Sequence, residues 1–114
     1  MNVHIAAYFL KQLAIKTPVY FESKLGTACV KTGRIIELCN FLKADTYLSG
    51  AGGRDYLEEE KFKTAGIKLE YQNFEHPRYR QQFMRNQDDF LPYMSIADLL
   101  FNEGPNSRKI LGLE

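Results

Sequence analysis

Apolar residues in this chain recur at helical spacing, then in short β-favouring runs, and then at helical spacing again. Ile5, Tyr8, Phe9 and Leu13 stand three to four apart, which predicts an amphipathic helix over residues 2–13. Residues 17–22 (Thr-Pro-Val-Tyr-Phe-Glu) are β-branched and aromatic, with Pro18 suited to a strand start and Gly26 ending the element. Ile35, Ile36, Leu38, Cys39 and Leu42 mark a second amphipathic helix over residues 32–42. A second strand is expected over residues 46–49 and a third helix over 54–65, with Gly66 as its C-cap. Ile67-Lys-Leu-Glu-Tyr71 alternates with period two and reads as a third strand. An irregular segment, residues 73–92, follows, of a length that in compact domains marks function or disorder. Ser95 then caps a helix that stops at Gly104-Pro105, and Pro105 opens a last short one.

Strands alternating with helices imply parallel pairing through right-handed crossovers. The expected fold is therefore a small three-layer α/β domain over residues 1–114. It has a short, mainly parallel sheet of about three strands, flanking helices and C-terminal helices. Such a sheet keeps two open edges, which are templates for self-pairing unless covered.

Length and charge narrow the function. At 114 residues the chain suits one core. Fifteen Lys and Arg against fourteen Asp and Glu leave a net charge of +1, which supplies no broad field for nucleic acid. No apolar run is long enough to span a bilayer, and the first ten residues carry no basic region of a signal peptide. Two cysteines, Cys29 and Cys39, fit neither a metal spacing nor a disulfide scaffold, so no metal is expected and a reducing cytoplasm is the default compartment. Cys39 lies on the apolar stripe of its helix and reads as core.

Candidate chemistry lies at the ends of the expected strands. Ser49-Gly-Ala-Gly-Gly-Arg-Asp55 leads from strand to helix, where exposed amides suit an anion. Ser49, Gly50, Gly52, Gly53, Arg54 and Asp55 are therefore candidate phosphate-binding residues, with a nucleotide or nucleotide sugar as ligand. The other reading is a tight turn whose glycines take positive φ. A second group, Glu75-His-Pro-Arg-Tyr-Arg80, places an imidazole beside two guanidiniums. His76 is a candidate general base, and Arg78 or Arg80 a candidate clamp for phosphate or carboxylate; the alternative is a solvated polar loop. Asp98 either faces a cleft as a catalytic carboxylate or caps the helix begun by Ser95. No Ser-His-Asp order, HExxH helix or paired-cysteine motif discloses a reaction, and the residues name no cofactor.

From Lys31 onward the chain resembles the WbqC-like family. The similarity rests on Lys31-Thr-Gly-Arg-Ile-Ile-Glu-Leu-Cys, Ala44-Asp-Thr-Tyr-Leu-Ser-Gly-Ala-Gly-Gly-Arg-Asp-Tyr-Leu-Glu-Glu-Glu and Ala65-Gly-Ile-Lys-Leu-Glu-Tyr-Gln-Asn-Phe-Glu-His-Pro. Phe90-Leu-Pro-Tyr-Met-Ser-Ile-Ala-Asp-Leu-Leu-Phe-Asn-Glu-Gly-Pro and Ser107-Arg-Lys-Ile-Leu complete it. Ala51 and Arg54 stand where many relatives have Pro and Lys, and residues 84–89 make a longer turn than usual. The family's early Gln-Pro-x-Tyr-Leu-Pro-Trp-like segment is absent, so the resemblance is to the C-terminal half, read either as a fragment with a missing N-terminal lobe or as a naturally short relative. It implies an enzyme of bacterial surface-polysaccharide (O-antigen, lipopolysaccharide) biosynthesis, of glycine or aminoacyl transferase type. The competing reading is a non-enzymatic lobe that binds a partner protein or itself as a homo-oligomer.

Overall fold

Residues 2–114 are described by a computed structural model. Helix α1 spans Asn2–Gln12 and α2 Lys31–Phe41. Strand β1 (Thr46–Ser49), helix α3 (Glu59–Ala65) and strand β2 (Lys68–Tyr71) follow, then α4 (Ile96–Glu103) and α5 (Ser107–Ile110). These elements belong to two units, Val19–Phe74 and the rest of the chain on either side of it. One boundary, after Phe74, falls inside the irregular segment, and the other, between Pro18 and Val19, falls inside the strand expected over residues 17–22.

In the Val19–Phe74 unit, β1 and β2 pair in parallel, with Thr46 opposite Lys68 and Ser49 opposite Tyr71. Helix α3 provides the crossover that parallel neighbours require. The α/β class is as the pattern predicts, but the sheet has two strands among the described residues rather than three. Residues 17–22 form no strand: Val19, Tyr20 and Phe21 stay exposed, and Glu22 opens a 3-10 turn, Glu22–Lys24. Local β preference finds no ladder to join there. Glu22 is instead held by the Arg34 guanidinium and by the Thr27 hydroxyl at 3.2 Å.

Cys39, Leu57, Phe62 and Ile67 form the core of this unit, with Ile35, Ile36, Tyr47 and Leu69 packed on it. Alternation in β2 turns Leu69 and Tyr71 inward, while Lys68 and Glu70 point out and pair at 2.6 Å. Phe62 is 1% exposed and stacks on Tyr47 at 5.6 Å. Its burial contributes about 1.5–3 kcal/mol.

The helix expected over 54–65 is split into a 3-10 turn, Ala51–Asp55, and α3. Tertiary contacts explain the break. Leu57 turns into the core, and the Glu58 amide donates to Thr32 Oγ1 at 3.2 Å instead of continuing a helical ladder. Gly66 closes α3 in the left-handed region at φ 72°, as expected.

In the other unit, Tyr79, Phe90 and Leu99 are buried with Met84, Ile96, Ile110 and Leu111 against them. Ser107 is fully buried and its hydroxyl donates to the Leu99 carbonyl at 3.3 Å, fixing α5 on α4. Pro105 lies in a 3-10 turn, Gly104–Asn106, ahead of α5. Arg108 donates to the Leu13 carbonyl, which ties the end of α1 to α5. Leu13 is buried, whereas Ile5 and Tyr8 of the predicted stripe remain exposed. No helix among the described residues is long and apolar enough to cross a membrane.

Candidate functional site

A long loop must find partners for its backbone groups, and residues 78–92 find many of theirs in side chains. Helix α4 offers Asp98, Asn102 and Glu103 toward this segment. Glu103 Oε1 accepts the Arg80 amide at 2.9 Å, and Asn102 Oδ1 accepts the Gln82 amide at 2.7 Å. Between them Gln81 is buried, and its carboxamide acts as a surrogate strand. Gln81 Nε2 donates to the Leu91 carbonyl at 2.8 Å while its Oε1 accepts the Leu91 amide at 2.9 Å. Farther along, Asp89 accepts the Arg85 amide at 2.7 Å and Asn86 caps the 3-10 turn Gln87–Asp89. The irregular segment is thus held without regular secondary structure.

This frame shapes a groove of about 590 Å³ along Arg78, Arg80 and Arg85, completed by Tyr79, Met84, Asn86 and Gln87. No carboxylate among the described residues lines it. The Arg78 guanidinium sits 4.9 Å over the Phe90 ring and donates to the Gln87 carbonyl. No ion pair among the described residues takes any of the three guanidiniums. Arg80 and Arg85 are pinned through their main-chain amides, while their charged heads keep no partner among the described residues. Three forked donors that make no ion pair among the described residues suit phosphate or carboxylate, which guanidinium binds in bidentate fashion.

The two candidate catalytic groups lie in the same unit. His76 Nε2 accepts the Tyr93 amide at 3.0 Å, which assigns the proton to Nδ1, and Nδ1 donates to the Pro77 carbonyl at 2.8 Å. Its ring also packs near Tyr79, Phe90 and Tyr93 at 5.2–6.4 Å. Asp98 Oδ2 accepts the Tyr79 hydroxyl at 2.7 Å and Gln81 Nε2 at 2.9 Å, while Oδ1 accepts Asn102 Nδ2 at 3.1 Å. The capping box expected from Ser95 and Asp98 is incomplete. Ser95 Oγ accepts the Ala97 amide at 3.1 Å, but the Asp98 carboxylate is drawn to Tyr79 and Gln81 instead. Desolvation pushes the Tyr79 phenol above its ordinary range, and its bond to the Asp98 carboxylate adds to that. In this arrangement both groups brace the loop that carries the arginines.

The glycine segment belongs to the Val19–Phe74 unit. The segment does turn tightly, as the 3-10 turn Ala51–Asp55, but none of Gly50, Gly52 and Gly53 has positive φ, so that reason for the glycines is corrected. Gly53 is required for another reason: a Cβ there would collide with Ser49 Oγ and approach Leu57 Cδ1 to 3.0 Å. Ser49 is 3% exposed and its hydroxyl donates to the Gly50 carbonyl at 3.0 Å, so it faces inward. At Gly50 and Gly52 a Cβ would meet open space. Arg54 lies 4.3 Å over the Tyr71 ring, at the carboxyl end of β2, and Asp55 is exposed beside it. Tyr71 donates to Glu59 at 3.1 Å. Its phenol is pushed up by desolvation and then by Glu59, with Arg54 opposing.

Sequence reasoning reached His76, Arg78, Arg80 and Asp98 but missed Gln81, Arg85 and Glu103. The available signal was an accounting one. A twenty-residue stretch, 73–92, without periodicity needs acceptors for its amides, and the amide and carboxylate side chains of α4 were the nearest supply. Among the described residues no group of three or more His, Cys, Asp or Glu is placed to hold a metal.

Comparison with known proteins adds a family. The sequence profile described as "WbqC-like protein family" matches residues 1–110, reaching upstream of the motifs that begin at Lys31. The chain is 36% identical over 74 residues to "Uncharacterized protein Rv1507c" of Mycobacterium tuberculosis, covering 65% of this chain and 31% of that protein. It therefore spans about a third of this relative's length. No solved structure matches significantly.

Proposed function

The chain belongs to the WbqC-like protein family, and on that premise we propose a cytoplasmic enzyme that holds a phosphorylated small molecule. Its reaction is a glycine or aminoacyl transfer in bacterial surface-polysaccharide (O-antigen) biosynthesis. The observation that carries the ligand class is the groove with Arg78, Arg80 and Arg85 and no lining carboxylate. His76 and Asp98 serve it as positioning groups, since their polar atoms hold the loop from which the arginines project.

Calorimetric titration with pyrophosphate tests the reading. Replacing Arg80 and Arg85 together by alanine removes two charge-assisted contacts and should weaken binding by about tenfold or more. An affinity that survives the double change sinks the groove as the anion site. Arg54, stacked on Tyr71 without an ion pair among the described residues, offers a further anion contact beside Gly50, Gly52 and Asp55. Its alanine variant is the matching control for that loop.

A second reading rests on β1. Leu48 is 60% exposed on a sheet of two strands, which suits association with a partner or a second copy through the sheet edge. In that reading the chain is a non-enzymatic binding lobe.

A further inference from the structure

Phe83 is the residue whose position nothing inside the fold repays. Its ring is 89% exposed, and its backbone is held at φ 68°, in the left-handed region that a bulky side chain avoids. Both flanks are fixed. The Gln82 amide is taken by Asn102 at 2.7 Å, and Met84 Sδ accepts the Gln81 amide at 3.2 Å. Met84 lines the arginine groove, so Phe83 stands one residue from it, between Arg80 and Arg85 in the chain. Tyr93 offers an instructive contrast. It too has positive φ and is 83% exposed, but its ring packs edge-on to His76 at 5.2 Å. Phe83 has no ring or cation contact among the described residues.

Backbone strain and an exposed apolar ring both oppose folding, and they persist where the surroundings impose them for use. Here the imposed geometry holds an exposed aromatic ring one residue along the chain from Met84, which lines the cationic groove. Such a pair recognises a phosphate joined to a planar ring, because the guanidiniums take the charge while the ring stacks. We propose that this site binds a nucleoside diphosphate, as a nucleotide sugar would present it, with Phe83 as the stacking platform for the base. The inference rests on the anion-groove reading above and adds the ligand's second half.

Titrations of the full chain with pyrophosphate, glucose 1-phosphate and UDP test it. UDP should bind about fivefold or more tighter than pyrophosphate. Phe83→Ala and Phe83→Asn should each bring UDP down to the pyrophosphate level and leave pyrophosphate unchanged, and Phe83→Trp should keep the preference. Asparagine tolerates the left-handed region, so Phe83→Asn should melt no lower than the parent. A lower melting point would make Phe83 a packing residue and overturn the proposal. Equal affinities for UDP and pyrophosphate in the parent, or a UDP preference that survives Phe83→Ala, would also overturn it while leaving the groove intact. Glucose 1-phosphate binding tighter than UDP would overturn the base assignment. Failure of all three ligands to bind would remove the groove reading itself.

Discussion

Gly53 shows how one missing methyl group sets a local structure. The 3-10 turn brings its Cα against Ser49 at the end of β1, where any Cβ would overlap the hydroxyl. Gly53→Ala should therefore lower stability by about 1–3 kcal/mol, the cost of overpacking, read as a shift in urea midpoint. Gly50 and Gly52 make the informative controls, because a Cβ at either meets nothing within 4 Å. Alanine at either should leave the midpoint within about 0.5 kcal/mol of the parent. Three glycines that look alike in sequence thus separate into one packing residue and two that leave backbone accessible. That distinction depends on Ser49 Oγ, which no local pattern reveals.

At the scale of elements, the polar side of α4 does for the long loop what a neighbouring strand would do. Gln81→Ala removes both bonds to the Leu91 backbone and leaves its amide and carbonyl without that partner. The expected loss is about 1–3 kcal/mol, with faster hydrogen exchange at the Leu91 amide. Helix α2 braces the preceding loop in a similar way, through charge. Glu37 accepts the Ala28 and Cys29 amides at 3.0–3.2 Å, and these bonds, Cys29 first, hold its carboxyl below its ordinary value. A depressed carboxyl stabilises the fold above its unfolded pKa and loses that contribution as pH falls through the folded value. Denaturation followed from neutral into acid should accordingly show a shallower decline for Glu37→Gln than for the parent. Parallel curves would remove Glu37 from the acid limb.

For the whole molecule, the two-stranded sheet of the described residues sets the association state to be measured in solution. Sedimentation should report a monomer if the anion groove is the working surface, and a dimer if the β1 edge is. In the dimer case Leu48→Lys, which puts a charge on the exposed edge face, should restore the monomer. Periodicity and punctuation alone determined much of this protein: α1, α2, α4, both paired strands, the Gly66 cap and the α/β class. Those features rest on interactions between residues close in sequence, where side-chain spacing and backbone preference act together. The family motifs were equally legible, because they are strings of residues. Tertiary structure alone decided that residues 17–22 find no ladder, that Thr32 and Leu57 interrupt the third helix, and that Asp98 leaves its cap for Tyr79 and Gln81. It also decided that three arginines share one groove. The break in the third helix and the placement of Asp98 turn on partners 17 to 26 residues away, and such distances enter the energy only once the chain has closed around them.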